Sequence, residues 1–173
     1  MEMVYDLLKI TIPGVLILYT AYLLVRSFLQ KQLDEVHLNL RHKNQEIVTP
    51  IRLQAYERVC LLLERISPNN IIPRLNGPEM SAKELQGALI SEIRSEFSHN
   101  LSQQVYMSED AWMYVSGAVE QLISLINESA NELTEQAKSF DLARTIFEKS
   151  MQNEQDTVRG AQSFVKNEIK ELF

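Results

Sequence analysis

Apolar residues are distributed unevenly along this chain of 173 residues. Sixteen consecutive residues from Ile10 to Val25, ITIPGVLILYTAYLLV, carry no charge, and the interval 7–29 contains only Lys9 and Arg26 as charged residues. A helix over that interval is roughly 34 Å long, which is enough to cross a hydrocarbon core of about 30 Å. The pattern therefore predicts a transmembrane helix over residues 7–29, with the lipid bilayer as its partner.

Three other interpretations of this segment have different requirements. A cleaved signal peptide needs a basic start and a small-residue cleavage site, whereas this chain starts with Glu2 and Asp6. An interfacial helix needs a polar face, which the uncharged run lacks. A buried core helix stays open, because the run of sixteen residues is shorter than a full span.

Basic residues flank the predicted span unequally. Arg26 lies near its end and Lys31, Arg41 and Lys43 follow within about twenty positions, against Lys9 alone at its start. Because Lys and Arg collect on the cytoplasmic side, we expect residues 1–6 to lie outside and the C-terminal domain in the cytoplasm. Lys9, Arg26 and Lys31 are the expected membrane-flanking cations, since long side chains reach the headgroups. A single cysteine, Cys60, is compatible with a reducing compartment.

Beyond the span, apolar residues recur at alternating spacings of four and three, which is heptad periodicity. They are Leu29, Leu33, Val36, Leu40 and Ile47, with Lys43 at the missing position. The stripe covers about two and a half heptads, fewer than a coiled coil needs. We expect a juxtamembrane stalk helix over residues 30–49, which either pairs with another chain or folds onto its own domain.

Amphipathic helical patterns fill the remainder, a domain over residues 50–173. Thr49-Pro50 predicts a helix break or kink, Ser81 and Glu84 form a capping box, and Ser108 is a predicted N-cap. A Pro/Gly/Asn-rich loop is expected over 69–78, and a last helix from about Asp141. The apolar stripes are Leu53, Tyr56, Val59, Cys60, Leu62, Leu63 and Ile66; Leu85, Leu89, Ile93, Phe97 and Leu101; Trp112, Val115, Val119, Leu122, Ile126 and Leu133; and Leu142, Ile146, Met151, Val158, Val165, Ile169 and Leu172.

No strand-like alternation of useful length interrupts these helices. The expected architecture is therefore all-α: an N-terminal transmembrane helix that continues into a stalk helix, followed by a small cytoplasmic helical bundle.

Charge and composition narrow the function classes. The chain has 17 Lys and Arg against 23 Asp and Glu, and residues 67–173 hold nine basic and sixteen acidic residues. An acidic domain is a poor nucleic-acid binder and is repelled by an anionic leaflet. One cysteine excludes a disulfide framework, and His42 with Glu46 supplies only two metal ligands. We expect no catalytic, cofactor-binding or metal-binding residues.

One segment, EIRSEFSHNLSQQVYMSEDAW (92–112), is rich in amides and aromatic rings. Its candidate interaction residues are Arg94, His99, Asn100, Gln103, Gln104 and Tyr106. These side chains either hydrogen-bond a turn between two helices or form a recognition surface for a partner chain. Their expected apolar anchors are Phe97, Leu101, Val105 and Trp112.

The segments RLQAYERVCLLLERISP (52–68) and EFSHNLSQQVYMSEDAW (96–112) carry a resemblance to a known family. They resemble an uncharacterised family of single-span, membrane-anchored helical proteins of Bacteroidota-type bacteria. The resemblance extends over nearly the whole length and implies a bacterial inner-membrane protein. Because that family has no assigned activity, it implies no catalytic residue.

The expected function is therefore non-enzymatic. An inner-membrane protein of this kind would bind other proteins through its cytoplasmic helical domain, either as an accessory or scaffold subunit of a membrane complex or as a homo-oligomer. The alternative is a membrane-anchored small-molecule sensor or enzyme with a pocket between its helices, using Arg94, His99 and Tyr106.

Overall fold

A computed structural model describes residues 2–152 and 157–172, with the side chains of these residues except 2–13, 34, 36–42, 44–45, 152 and 172. Within these ranges the elements are α1 (Glu2–Ile66), α2 (Pro68–Leu75), α3 (Ala82–Asn100), a 3₁₀ helix (Leu101–Tyr106), α4 (Glu109–Asn131), α5 (Ser139–Gln152) and α6 (Thr157–Leu172). The described elements are helical apart from an isolated bridge between Ser81 and Lys138. This confirms the predicted all-α class.

By its internal contacts the chain divides into two units, residues 1–49 and 50–173. Helix α1 includes Thr49 and Pro50, so a helix break at these residues is wrong, whereas the alternative, a kink, stays a prediction. A proline removes one backbone hydrogen bond from a helix, and a long helix can continue when the turns on both sides keep theirs.

In the first unit, α1 exposes its large apolar side chains. Those between Val15 and Leu33 are 43–72% exposed. No helix in the described part of the chain is long and apolar enough to cross a membrane. Residues 7–13 of the predicted span, including Lys9, lie outside the described side chains, as do Val36 and Leu40 of the predicted stalk stripe. The remaining flanking and stripe residues, Arg26, Lys31, Leu29, Leu33 and Ile47, are exposed.

The second unit encloses one hydrophobic core. Helix α4 packs against α6, α3 and α5, and α3 also packs against α2 and α5. The largest fully buried side chains are Tyr56, Val59, Leu62, Leu63, Ile66, Ile71, Leu85, Leu89, Ile93, Ile126, Leu142 and Ile146. Burying one such aliphatic side chain contributes about 1.5–3 kcal/mol, so this core is the main source of stability for residues 50–173.

Local capping signals place two helix starts as predicted. The Ser81 side chain accepts a hydrogen bond from the backbone N–H of Glu84, and the Glu84 carboxylate accepts one from the backbone N–H of Ser81. The Ser108 hydroxyl accepts from the backbone N–H of Ala111 at 3.0 Å. Both predicted caps are confirmed.

One predicted element boundary is wrong. Part of the expected loop 69–78 is helix α2, in which Pro68 takes an early position that needs no amide proton. Burial of Ile71 and Ile72 holds this short helix on the core. The described parts of the expected last helix are α5 and α6, and residues 153–156 between them lie outside the described residues.

Three predicted stripe residues do not reach the core. Leu53, Leu101 and Met151 are 48%, 45% and 87% exposed. Leu101 begins a 3₁₀ helix with three residues per turn, so the 3.6-residue period of α3 no longer predicts its direction. Leu53 precedes the first buried turn of α1, where Ala55 and Tyr56 enter the core.

Candidate interaction surface

The amide-rich segment divides between the end of α3 and the 3₁₀ helix. The Asn100 side chain donates a hydrogen bond to the backbone oxygen of Glu96 at 2.9 Å, on the last turn of α3. The rings of Phe97 and Trp112 stack with centroids 5.5 Å apart and pack against the core. These two predicted anchors hold the segment at both ends, and the 3₁₀ helix crosses between them.

Helix α1 holds the end of the 3₁₀ helix. The Arg52 guanidinium donates from Nε to the backbone oxygen of Tyr106 at 3.1 Å. Because this contact joins residues far apart in sequence, it sets the two helices side by side. A groove of about 380 Å³ lies between them. We call it the α1/3₁₀ groove; it is lined by Ile51, Gln54, Ala55, Arg58, Ser102, Gln103, Val105 and Tyr106.

The α1/3₁₀ groove has an apolar part and a polar part. Ile51, Val105 and Tyr106 are 42%, 77% and 39% exposed, so Val105 is not the buried anchor that the sequence predicted. Gln103 is only 7% exposed, although the sequence predicted it as a surface residue. It turns inward because a 3₁₀ helix rotates each residue further than an α-helix does.

The six candidate interaction residues therefore do not all line one groove. Only Gln103 and Tyr106 line the α1/3₁₀ groove. Asn100 uses its side chain within α3, as the turn interpretation expects. Arg94, His99 and Gln104 are exposed and do not line this groove. Of the three residues predicted for a small-molecule site, Arg94, His99 and Tyr106, only Tyr106 lines the α1/3₁₀ groove, and the site stays a prediction.

A carboxylate on α6, that of Glu168, contacts both α1 and the start of α4. Glu168 Oε1 accepts hydrogen bonds from the Tyr56 hydroxyl and from the Ser108 backbone N–H, the latter at 3.1 Å. Glu168 Oε2 accepts from the Ser108 hydroxyl at 2.7 Å. One side chain thus joins α6 to α1 and to the N-cap of α4. Arg52, on α1, adds a favourable charge interaction with the same carboxylate.

The ionisation of this cluster follows from its surroundings. Burial raises the pKa of Tyr56 to about 12, and the hydrogen bond to Glu168 adds to the shift. Burial also acts to raise the pKa of Glu168, but the hydrogen bonds from Tyr56 and Ser108 outweigh it and lower that pKa. At neutral pH a neutral phenol donates to an ionised carboxylate, which is the stronger form of hydrogen bond.

The surroundings of the Cys60 thiol favour a structural role over a reactive one. Burial raises the pKa of the Cys60 thiol, which packs at the edge of the core, so the nucleophilic thiolate is disfavoured. No group of three or more His, Cys, Asp or Glu residues in the described part of the chain could hold a metal ion. The α1/3₁₀ groove itself is lined by no carboxylate and no histidine.

One comparison with known proteins gives a match, and it covers almost the entire chain. The model of a family of unknown function, DUF7935, matches residues 2–172. The chain belongs to the DUF7935 family. No curated protein and no solved structure matches it. The predicted membership of an uncharacterised family is confirmed, and the DUF7935 family transfers no residue role to the α1/3₁₀ groove.

In this DUF7935 chain, the sequence predicted groove residues on the 3₁₀ helix, Gln103 and Tyr106, and did not predict those on α1. Ile51, Gln54 and Arg58 lie on α1, far in sequence from the 3₁₀ helix. The one local signal was that Gln54 and Arg58, four residues apart, share a helix face. Glu168 was missed because its partners Tyr56 and Ser108 come together only in the folded bundle.

A second cavity, of about 900 Å³, lies between α4 and α6. We call it the α4/α6 cavity. Gly117 and Gly160 line it, and a Cβ atom added at either glycine would meet no other atom within 4 Å. The rings of Tyr114 and Phe164 stack beside it with centroids 4.3 Å apart. Sequence reasoning did not identify this cavity, because α4 and α6 each read as ordinary amphipathic helices.

Proposed function

We propose that this protein is a non-enzymatic inner-membrane protein whose helical domain binds another protein. The domain acts as an accessory or scaffold subunit of a membrane complex, or joins copies of the chain. The observation that carries this proposal is the α1/3₁₀ groove, where exposed apolar side chains lie beside amide groups. Such a mixture of apolar and hydrogen-bonding surface is typical of protein interfaces.

The membrane anchor is part of the same proposal. We place a single span over residues 7–29, with residues 1–6 outside and residues 50–173 in the cytoplasm of a Bacteroidota-type bacterium. The uncharged run Ile10–Val25 and the Lys and Arg residues after it support this arrangement. The Thr20 hydroxyl hydrogen-bonds to the backbone oxygen of Leu16 at 2.7 Å, so this polar group has a partner inside its own helix, as lipid requires.

Site-specific photo-cross-linking in native cells tests the interaction. A benzophenone amino acid at Val105, which is 77% exposed at the groove, should cross-link to one defined protein or to a second copy. The matched control is the same residue at Glu135, an exposed position between α4 and α5. A chain that stays monomeric and forms the same few adducts at both positions would contradict the proposal.

One observation favours a second candidate function, small-molecule sensing. The α4/α6 cavity, at about 900 Å³, lies within the range of about 300–1,000 Å³ that ligand sites occupy. Thermal-shift screening of the full chain in detergent would test it. A hit whose stabilisation disappears in Gly160→Phe, but persists in Gly87→Phe on α3, would support sensing.

A further inference from the structure

The lining of the α1/3₁₀ groove indicates what kind of partner segment it fits, and this inference rests on the proposed function. Gln103 is buried to more than nine-tenths, and its side chain lines the groove. Its only hydrogen bond within the described chain is a long one, 3.3 Å from Nε2 to the Ser102 hydroxyl. The Gln103 carbonyl oxygen has no partner there, so the groove holds an amide that is free to accept a hydrogen bond.

The opposite wall adds a second amide and a cation. Gln54 and Arg58 lie four residues apart on α1, both exposed and both lining the groove. Neither side chain has a hydrogen bond or ion pair with another described residue. A carboxamide offers a donor and an acceptor side by side, which matches the N–H and C=O groups of an extended polypeptide. A guanidinium matches a carboxylate.

Charge argues for an acidic partner. Residues 50–173 hold 18 Asp and Glu against 12 Lys and Arg, yet the eight residues that line the groove include one arginine and no acidic residue. Charge complementarity selects partners and steers their approach. An acidic segment is attracted to Arg58 and repelled by the acidic remainder of the domain, which concentrates it in this groove.

Size argues for a short extended segment. The groove volume of about 380 Å³ is near the lower end of the range for ligand sites. A helix with side chains is about 10–12 Å across, so an extended segment fits this small groove better than a helix does. Nucleic acid is disfavoured, because the groove presents one cation where phosphate contacts need several.

We propose that the α1/3₁₀ groove binds a short, extended, acidic segment of a partner protein. The amides of Gln54 and Gln103 pair with its main chain, and Arg58 pairs with its Asp or Glu side chain. Ile51 and Val105 contact an apolar side chain next to that acidic residue.

Selection from a displayed library of random 12-residue peptides, against the full chain in detergent, tests this proposal. We expect the selected peptides to be enriched in an Asp or Glu residue beside an apolar residue. Binding of a selected peptide should weaken at least tenfold in Arg58→Glu and severalfold in Gln54→Ala. Arg94→Glu is the matched control, because Arg94 is an exposed arginine outside the groove, and it should leave binding unchanged.

Both groove variants alter exposed side chains, and an unchanged thermal melt will show that they fold. If Arg58→Glu does not fold, Arg58→Gln and Gln54→Ala carry the same comparison. Failure to select any peptide, selection without acidic enrichment, or equal effects of Arg58→Glu and Arg94→Glu would overturn the proposal.

This result is separable from that of the proposed function. A protein cross-linked from Val105 whose binding is unaffected by Arg58→Glu would leave the proposed function standing and overturn the acidic-segment inference. If a selected peptide binds in an Arg58-dependent way but no protein is cross-linked in cells, the groove binds acidic segments as inferred and the proposed function is overturned.

Discussion

Helix α1 uses its apolar side chains in two opposite ways. Between Val15 and Leu29 the large apolar side chains are 43–72% exposed, whereas Ala55, Tyr56, Val59, Leu62, Leu63 and Ile66 are at most 2% exposed. Both stretches are helical and both are rich in Leu. Burial therefore depends on more than local helix formation or average hydrophobicity.

The difference lies in where the charges stand. In the run Ile10–Val25 no charge interrupts the apolar residues, so every face of the helix is apolar. In the later stretch, Glu57, Arg58, Glu64 and Arg65 occupy one face and leave a stripe for the core. A helix that is apolar all round needs an apolar environment on every side, while a striped helix needs only one neighbouring surface.

The largest expected effect comes from truncating the buried stretch. Leu63 is 0% exposed, and Leu63→Ala should lower the free energy of unfolding by about 2–5 kcal/mol, because it leaves a cavity in the core. Urea denaturation of the full chain, followed by the fluorescence of its single tryptophan, Trp112, measures this change.

The matched substitution lies on the same helix. Leu24 is 71% exposed, so Leu24→Ala should change the same transition by less than about 0.5 kcal/mol. Equal losses from the two substitutions would show that the two stretches of α1 do not differ as described.

A charge inside the exposed stretch is the next test. Leu18 is 72% exposed, and Leu18→Arg should weaken membrane insertion by about 3 kcal/mol if residues 7–29 lie in lipid. Membrane flotation of cell extracts measures the bound fraction, with Leu18→Ala as the control. Recovery of the wild-type chain in the soluble fraction, or identical behaviour of both variants, would break the membrane part of the comparison.

Removing the charge of Glu168 should have a smaller effect on the buried stretch. Glu168→Gln weakens the hydrogen bonds from Tyr56 and Ser108, and we expect a loss of about 1–2 kcal/mol at pH 7. Urea denaturation measures it, and Glu171→Gln, an exposed neighbour on α6, should be silent.

The stability difference between wild type and Glu168→Gln should depend on pH, in a direction set by the pKa of Glu168. The pKa of Glu168 is lowered in the folded chain from its ordinary value of 4.5. Its ionised form therefore contributes stability above pH 4.5, and this contribution is lost as the pH falls through the lowered pKa. The difference between wild type and Glu168→Gln should shrink on acidification; a difference that stays constant or grows would show that the carboxylate charge is not responsible.

The smallest effect should be a gain in stability. Gly117 and Gly160 lie inside helices, and an added Cβ would meet nothing within 4 Å. Gly160→Ala should therefore stabilise the second unit by about 0.5–1 kcal/mol in urea denaturation, as should Gly87→Ala on α3, where the space is equally open. A loss of stability in Gly160→Ala alone would mean that the α4/α6 cavity does not tolerate a methyl group.

Half of the candidate site was readable from the sequence. Gln103 and Tyr106 stood out as amide and aromatic residues between two helices. Their partners Gln54 and Arg58 did not, since exposed polar residues on an amphipathic helix have no local sign of a groove. The direction of Gln103 was also unreadable, because the change from α-helix to 3₁₀ helix after Asn100 alters the side-chain period.

The sequence by itself determined the all-α class, two helix caps and most of the core, because hydrophobic period and capping chemistry act within a few neighbouring residues. Tertiary structure alone decided that Glu168 joins three elements, that Gln103 is buried while Val105 is exposed, and that α1 supplies half of a groove. These features depend on contacts between residues far apart in sequence, whose geometry is set only when the helices pack.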